Sequence, residues 1–112
     1  MKTNLNQLAK EIHANNEIRG FWDGGIEEKN IGEVIALIHS EASEALEADR
    51  KDKYAVKSWN LTHNCESIET TNEKQYFMQE FEVAIKNTFE DEMADIIIRV
   101  LDVCGAMKID ID

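Results

Sequence analysis

The chain has 112 residues and a net charge of −11, because only 12 lysines and arginines accompany 23 aspartates and glutamates. So acidic a chain repels polyanions, which argues against DNA or RNA binding as its main role. With 43% hydrophobic residues it can build one modest core, so we expect a single domain over residues 1–112. It has no proline and only five glycines, which favours long helices over a turn-rich β fold.

The sequence carries no sign of secretion or membrane insertion. The N-terminal stretch MKTNLNQLAKEIHANN lacks an apolar core, and no segment approaches the length of a membrane span. Cys65 and Cys104 are not in a zinc-binding spacing. We therefore expect a cytoplasmic protein with reduced thiols.

The first predicted element is a helix of about three turns near the N-terminus. Its apolar residues recur at the helical spacing i, i+3, i+4, i+7: Leu5, Leu8, Ala9 and Ile12. We expect this helix to fray near Asn15 and Asn16. It is followed by a glycine-rich loop with two aromatic residues, Gly20-Phe21-Trp22-Asp23-Gly24-Gly25.

The second predicted helix begins at a capping signal. Asn30 followed by Glu33 has the form of an N-cap with its capping partner, and the helix is expected to run to about Arg50. Residues 51–72 are more polar and poorly periodic. They predict a connection that contains at most one short helix.

Two further helices complete the prediction. The third covers Glu73 to about Lys86 with an apolar stripe formed by Phe77, Phe81, Ala84 and Ile85. Thr88 and Asp91 give a weaker capping signal for the fourth, which extends to about Met107. The sequence therefore predicts an all-α protein, a four-helix bundle.

Two carboxylate pairs lie within the two most apolar segments: Glu41-x-x-Glu44 and Glu92-x-x-Asp95. Residues three apart share a helix face, so each pair can present two carboxylates side by side. A charged group in an apolar helix is costly unless a partner compensates it. Four carboxylates with few nearby cations predict that a divalent metal ion is this partner.

The helical wheel of the second helix supports an inward position for Glu41. One broad arc holds the apolar residues Val34, Ile35, Leu37, Ile38, Ala42, Ala45 and Leu46. Glu41 falls within this arc and Glu44 lies at its edge. If this arc faces the fourth helix across the bundle, Glu41 and Glu44 would lie next to Glu92 and Asp95.

The fourth helix is apolar nearly all round, so we expect it to be central or to pack against a second subunit. One polar stripe interrupts it: Glu92, Asp95, Arg99 and Asp102. A buried helix with one acidic stripe is typical of a site. In the alternative interpretation, Arg99 neutralises Asp95 and Asp102 as a buried ion-pair network, although it cannot satisfy all four carboxylates of the two pairs.

An all-oxygen ligand set favours a hard cation, Mg²⁺ or Mn²⁺. A di-iron bundle needs Glu-x-x-His motifs, and none of the three histidines (His13, His39, His63) is placed to supply one. Mg²⁺ held by carboxylates keeps positions for water and phosphate, which predicts metal-assisted hydrolysis of a phosphoanhydride. The sequence lacks a P-loop or glycine-rich phosphate cradle.

The segments LIHSEASEALEADR and FEDEMADIIIRVLDVCGAMKIDID carry a family resemblance. They resemble the MazG-like all-α nucleotide pyrophosphohydrolases, a superfamily that includes the dimeric dUTPases and the phosphoribosyl-ATP pyrophosphohydrolases. The signature of that superfamily is an ExxE on one helix and an ExxD on a later one. The resemblance spans residues 18–112, and the second motif in its context is the more specific part.

The resemblance implies a Mg²⁺-dependent enzyme that cleaves a nucleoside triphosphate between the α and β phosphates, releasing a monophosphate and pyrophosphate. It implies that Glu41, Glu44, Glu92 and Asp95 hold the metal, and that Glu41 or Glu44 orients the attacking water. It further implies a homodimer or homotetramer and a role in clearing non-standard or surplus deoxynucleotides. The spacing between the motifs is longer than in the most compact relatives, which makes residues 51–72 a point of divergence.

Four other residues are candidates for substrate or supporting contacts. Trp22 could stack on a base, or it could seal the bundle end. Lys86 could bind the β or γ phosphate, or be a solvated lysine at a helix end. Arg99 could contact substrate, and Asp102 could orient ligands from behind, or the two could pair with each other.

Two other functions remain open at this point. A non-catalytic helical module could use its acidic stripe to bind a basic partner or to pair across a dimer. A Ca²⁺ or Mn²⁺ binder without catalysis would show a metal response but no turnover.

Overall fold

The computed structural model describes residues 4–55 and 71–112. Within these residues the protein is all-α, with four helices and no strand, and α1 and α2 pack on α4. The helices are α1 (Leu5–Ile18), α2 (Ile31–Arg50), α3 (Thr71–Ala84) and α4 (Phe89–Met107), and a short 3-10 turn covers Ile26–Glu28. The expected all-α class is thus confirmed. Most of the predicted connection over 51–72 lies outside the described residues.

The helix boundaries follow local capping interactions. Asn4 caps α1 by accepting a hydrogen bond from the backbone N–H of Gln7 at 2.8 Å. Asn30 caps α2 in the predicted way, because its side chain accepts from the N–H of Glu33 at 3.2 Å. Such caps satisfy backbone donors that have no partner within the helix.

At the start of α4, Thr88 caps the helix as expected, but Asp91 accepts from a different backbone N–H than predicted. The Thr88 hydroxyl accepts a long hydrogen bond from the N–H of Asp91 at 3.4 Å. The Asp91 carboxylate accepts from the N–H of Asn87 at 2.8 Å, one residue before the position that a capping box predicts. Asn87 has a left-handed φ of 65°, which turns its N–H towards that carboxylate.

The chain divides into two compact units, and α2 and α4 each contribute to both. The first unit comprises Met1–Glu41 and Asp95–Asp112, and the second comprises Ala42–Ala94. In the first unit, Trp22, Val34 and Val103 form a buried cluster. Partly buried apolar residues pack around it: Phe21, Ile31 and Ala106.

The N-terminus of α1 is fastened to the C-terminal residues of the first unit. The Asp112 carboxylate accepts from the N–H groups of Leu5 and Asn6 at 3.0 and 3.2 Å. The Asn6 side chain donates to Asp110 at 2.8 Å and accepts from the N–H of Ile111 at 2.8 Å. An acidic side chain at a helix N-terminus also complements the helix dipole.

Close backbone contact between α1 and α4 depends on a glycine. A Cβ built on Gly105 would lie 2.6 Å from the carbonyl oxygen of Ala9 and 2.9 Å from Cβ of His13. Any side chain at this position would therefore push the two helices apart. The wheel analysis of α4 did not identify Gly105 as a contact point.

In the second unit, the end of α2 is joined to the start of α4 by backbone and side-chain contacts. The N–H of Lys53 donates to the Ala48 carbonyl at 2.8 Å, and the Lys53 carbonyl accepts from the N–H of Phe89 at 2.9 Å. The N–H of Ala55 donates to the Glu90 carboxylate at 2.7 Å. The ring of Tyr54 lies 5.2 Å from that of Phe89, so these few residues hold one corner of the unit.

The apolar arcs predicted for α2 and α4 are only partly buried. On α2, Val34 and Ala45 are buried, but Ile35 and Leu46 are exposed. On α4, Leu101 and Val103 are buried, but several other apolar residues are exposed: Met93, Ile97, Ile98, Val100 and Met107. The apolar pattern correctly predicts the helices, but it overestimates how much of each is covered in one copy of the chain. No helix in the described part of the chain is long and apolar enough to cross a membrane.

Candidate functional site

The first residue of the ExxE motif is buried in the first unit, as the wheel of α2 predicts. Glu41 is only 8% exposed. The Arg99 guanidinium of α4 donates from Nε to Oε1 of Glu41 at 2.8 Å. Since Val34 packs with Val103 while Glu41 meets Arg99, these parts of α2 and α4 run antiparallel.

A cavity of about 660 Å³ opens beside this contact. Its lining combines one acidic residue from each motif with two arginines and one aromatic ring: Glu41, Asp95, Arg19, Arg99 and Phe21. The remaining lining residues are Asn16, Gly20, Leu37, Ile98 and Asp102. Anionic, cationic and aromatic groups thus line one concave surface, and the volume lies in the range of roughly 300–1,000 Å³ that is typical of small-molecule sites.

Asp102, on the same helix, is the centre of a buried hydrogen-bond network. It is 4% exposed, and its carboxylate accepts from Nε1 of Trp22 at 2.9 and 3.0 Å and from Nδ2 of Asn16 at 2.9 Å. Nδ1 of His13 lies 3.0 Å from Oδ1 of Asp102, and Nε2 of His13 lies 2.7 Å from Oε1 of Glu17. This network joins α1 and the loop after it to α4 at the floor of the cavity.

The position of Trp22 favours the structural alternative over base stacking. Trp22 is 5% exposed, and its indole N–H is used by Asp102. His13 and Phe21 make edge contacts with it, with ring centroids 5.1 and 5.4 Å away. Phe21, the neighbouring residue in the same glycine-rich loop, lines the cavity instead.

The Phe21 loop is held by Lys29. The Lys29 ammonium donates to the Phe21 carbonyl and lies 3.6 Å from the centroid of the Phe21 ring. A lysine over an aromatic face is a favourable cation–π arrangement. The Phe21 ring is therefore fixed on one side by a cation.

The remaining motif residues meet in the second unit. Glu44 of α2 and Glu92 of α4 offer carboxylate oxygens within 4.8 Å of each other. Glu92 is 3% exposed, whereas Glu44 is exposed. Asp91, next to Glu92, also offers an oxygen within this distance of Glu92. Each motif therefore has one member near the Arg99 contact and one member in this second acidic cluster.

Lys86, the phosphate-binding candidate from the sequence, is exposed and pairs along its own segment of the chain. Its ammonium lies 3.9 Å from Oε1 of Glu82, one turn earlier, and both side chains are exposed. Two other lysines, Lys51 and Lys53, line a cavity with Glu44 and Glu92. Sequence reasoning did not identify these two lysines, because which lysine of a polar connection lies at the site depends on the path of the backbone.

The donor set fits a hard divalent cation. The residues that could hold it are carboxylates throughout: Glu41 and Asp95 in the first unit, Glu44 and Glu92 in the second. Mg²⁺ and Mn²⁺ prefer such ligands, whereas zinc and copper prefer nitrogen and sulfur. Acidic clusters without a metal are common in proteins, so the fit is a necessary condition only.

Comparisons with known proteins give no match. No family model, no curated protein and no solved structure matches this chain. The resemblance carried by the two motifs therefore remains a prediction.

Proposed function

We propose that the protein is a Mg²⁺-dependent nucleoside triphosphate pyrophosphohydrolase that converts a (d)NTP into the monophosphate and pyrophosphate. The finer fold assignment, a MazG-like four-helix bundle assembled as a homo-oligomer, belongs to the same proposal. The observation that carries it is the arrangement of the two motifs. Glu41 and Asp95 line one cavity, and Glu44 and Glu92 approach within 4.8 Å, although the pairs come from helices far apart in the sequence.

Each motif residue has a stated role in this proposal. Glu41, Glu44, Glu92 and Asp95 would hold Mg²⁺, which would supply positive charge for the phosphate oxygens and lower the pKa of the attacking water. Glu41 or Glu44 orients that water and takes its proton. The water oxygen bonds to the α phosphorus, and the bond from this phosphorus to the bridging oxygen breaks. The electron pair of that bond leaves with pyrophosphate.

The cavity in the first unit supports the nucleotide part of the proposal. Arg19 and Arg99 bring positive charge to a strongly acidic chain, and guanidinium groups bind phosphate oxygens well. Phe21 offers an aromatic face of the kind on which bases stack. Arg99 already donates to Glu41, so it would both position a metal-binding carboxylate and approach the phosphates.

The exposed face of α4 supports the homo-oligomer. Met93, Ile97, Val100, Cys104 and Met107 follow one another at spacings of four, three, four and three residues. This repeat is typical of helices that pack along another helix. Met93, Ile97, Val100 and Met107 are exposed in a single copy, and Cys104 is partly exposed. A second copy of the chain would cover them.

The direct test measures pyrophosphate released from a panel of nucleoside triphosphates in the presence of Mg²⁺. We expect Glu41→Gln and Asp95→Asn to lower kcat by at least about a hundredfold while the far-UV circular dichroism spectrum is unchanged. Glu33→Gln is the matched control, because it neutralises an exposed carboxylate on the same helix away from the motifs. Absence of pyrophosphate release from every nucleotide, at high enzyme concentration, would refute the proposal.

A second candidate function is a non-catalytic acidic module, and one observation favours it. Arg99 already neutralises Glu41 at 2.8 Å, and Lys51 and Lys53 line a cavity with Glu44 and Glu92. Internal ion pairs of this kind could satisfy the carboxylates without any metal. In that case the acidic stripe would serve a basic partner or a dimer contact.

The two functions predict opposite changes in melting temperature for one substitution, Glu44→Gln. If the carboxylates repel each other until Mg²⁺ binds, Glu44→Gln raises the melting temperature without Mg²⁺ and reduces the stabilisation that Mg²⁺ provides. If lysines already satisfy them, the substitution lowers the melting temperature equally with and without Mg²⁺. Glu33→Gln is again the control, since it should leave the Mg²⁺ response unchanged.

A further inference from the structure

The second unit contains a small cavity that brings cations to the acidic cluster. It has a volume of about 230 Å³. Its lining residues come from the end of α2, the turn after it and the residues before α4: Glu44, Glu47, Ala48, Lys51, Lys53, Asn87 and Glu92. Two lysines share this lining with three carboxylates, so the cavity offers both cationic and anionic groups. Glu44 and Glu92 of this cavity are metal ligands in the proposed function, whereas its two lysines have no role there.

Lys53 is held in place by its backbone. Its N–H donates to the Ala48 carbonyl at 2.8 Å, and its carbonyl accepts from the N–H of Phe89 at 2.9 Å. The preceding residue, Asp52, has a left-handed φ of 54°, which ends α2 abruptly and turns the chain towards α4. The backbone of Lys53 is thus held between the two helices that carry the motifs, and its exposed side chain lines the cavity.

The other two lysines near this region are less well suited to bind a ligand. The Lys51 ammonium lies 3.1 Å from Oε1 of Glu47, one turn earlier on α2, and both side chains are exposed. Lys86 pairs in the same way with Glu82 at 3.9 Å and does not line the cavity. Lys53 is also exposed, but among the described residues it has no such ion pair along its own segment, so it is the cavity cation that is available to a ligand.

We propose that Lys53 binds the terminal phosphates of the substrate and the pyrophosphate that is released, with support from Lys51 and the Asn87 amide. The identity of this substrate rests on the proposed function. The proposal replaces Lys86 by Lys53 as the phosphate-binding lysine.

The physical reason is the charge balance of the reaction. A polyphosphate tail brings more negative charge to this acidic cavity than a metal ion held by Glu44 and Glu92 would offset, so a positive group in the same cavity would stabilise the tail. An ammonium is a compact charge that suits phosphate oxygens. Negative charge develops on the leaving pyrophosphate as the bond to the α phosphorus breaks, and Lys53 would stabilise it there.

The competing interpretation is that Lys53 is a structural ion-pair partner of Glu44 and Glu92. Both interpretations predict that Lys53 matters, so loss of activity alone cannot separate them. They differ in where the effect is seen. A phosphate-binding lysine changes affinity for a phosphate tail, whereas a structural lysine changes the stability of the fold.

The first experiment measures the binding of inorganic tripolyphosphate, in the presence of Mg²⁺, by calorimetry. Lys53→Met keeps the length of the side chain and removes its charge. We expect it to weaken binding about tenfold or more, because a charge-assisted contact is lost. Lys53→Arg should retain most of the affinity. Lys86→Met is the matched control and should bind as the wild type does.

The second experiment follows turnover and pyrophosphate inhibition in the same variants. We expect Lys53→Met to raise KM and the inhibition constant of pyrophosphate by similar factors, each about tenfold or more. Lys86→Met should change neither quantity. The melting temperature of each variant is recorded in parallel.

The outcomes keep this inference distinct from the proposed function. Unchanged tripolyphosphate affinity in Lys53→Met, or no binding by the wild type, overturns the inference even if nucleotides are hydrolysed. A lower melting temperature with unchanged affinity assigns Lys53 a structural role and also overturns it. Weaker binding in Lys53→Met without hydrolysis of any nucleotide by the wild type upholds the phosphate site and refutes the pyrophosphohydrolase.

Discussion

Replacing Asp102 by asparagine tests whether the buried network below the cavity depends on a negative charge. The carboxylate accepts hydrogen bonds from Trp22 and Asn16 at 2.9–3.0 Å and lies 3.0 Å from His13. Asparagine has nearly the same shape, so little packing is lost. It replaces one acceptor oxygen by an NH₂ group, which is a donor only. The donor groups that pointed at that oxygen then lose their acceptor.

The expected cost follows from these contacts. A hydrogen bond to a charged group contributes about 1.5–3 kcal/mol, and a buried polar atom left without a partner costs about 1–3 kcal/mol. Removing the charge also removes the cost of burying it, which offsets part of the loss. We therefore expect Asp102→Asn to lower the free energy of unfolding by about 3 kcal/mol. That change corresponds to a fall in melting temperature of about 10 °C for a chain of this size.

Urea unfolding followed by circular dichroism measures this change directly. Asp23→Asn is the matched control, because Asp23 lies in the neighbouring loop and is exposed, and its substitution should change stability by less than about 0.5 kcal/mol. A double-mutant cycle with Trp22→Phe isolates the contact between the indole N–H and the carboxylate. We expect a coupling energy of at least about 1 kcal/mol in this cycle.

An Asp102→Asn variant as stable as the wild type would contradict this reasoning. It would mean that the free-energy cost of burying the charged carboxylate equals the stabilisation from its contacts with Trp22, Asn16 and His13. A coupling energy near zero with Trp22→Phe would show that the hydrogen bond from the indole N–H to Asp102 does not contribute to stability. Either result would remove the reason to consider this network a rigid floor of the cavity.

Two further predictions concern packing and alkaline pH. Gly105→Ala should destabilise the fold by about 1–3 kcal/mol in the same urea assay, because its Cβ would meet the Ala9 carbonyl at 2.6 Å. Gly32→Ala in the exposed first turn of α2 should cost less, because its Cβ would meet only the Asn30 side chain, at 3.1 Å, and alanine is the better helix former. Equal effects of the two substitutions would show that α1 and α4 are not in close contact. The hydrogen bond from Tyr54 to Asp49, with desolvation and nearby carboxylates, raises the pKa of Tyr54 from 10.0 to about 12. The stabilisation that this hydrogen bond gives the folded state is complete below pH 10 and is lost as the pH rises through about 12. In an absorbance titration of the folded protein, the signal that Tyr54→Phe removes should therefore appear only above pH 10. Half-ionisation of Tyr54 near pH 10 would contradict this prediction.

The secondary structure was predictable because each signal is local. Asn30 and Glu33 predicted the start of α2, and the cap geometry confirms it. The predicted end of α2 at Arg50 and of α4 at Met107 agree with the structure. The third helix begins two residues earlier than expected, at Thr71, and ends two earlier, at Ala84. Helix ends fray and lack strong signals where no capping residue is present.

The position of the carboxylates was predictable in part. The wheel of α2 places Glu41 inward, and its burial confirms this. The wheel cannot say what a buried carboxylate meets, since that depends on the register between two helices. The structure pairs Glu41 with Arg99, whereas the alternative from the sequence paired Arg99 with Asp95 and Asp102. The partners of Asp102 come instead from α1 and the loop after it.

The residues that the sequence missed share one property: their role depends on the path of a connection. Arg19 and Phe21 reach the first cavity because the chain turns at Gly20, which has a left-handed φ of 88°. Lys53 reaches the second because the chain turns at Asp52. From composition alone, these positions are classified only as polar or glycine-rich linkers. Their chemistry becomes visible when the backbone is fixed by hydrogen bonds at both ends.

Acidic side chains on the two motif helices have three different energetic outcomes in this chain, which is why an acidic residue on these helices does not by itself define a metal site. Asp102 is satisfied by neutral and imidazole donors, Glu41 by a guanidinium, and Glu44 shares a cavity with two lysines. Glu44 differs from the other two in being exposed, so either a lysine of the protein or an external cation can reach it. Because Glu44 is exposed, a lysine partner there contributes little stability, whereas Mg²⁺ would bring two charges to one point. The sign of the Mg²⁺ response at Glu44 therefore carries information about function that Asp102 does not, since substitution of Asp102 disturbs the fold under either interpretation.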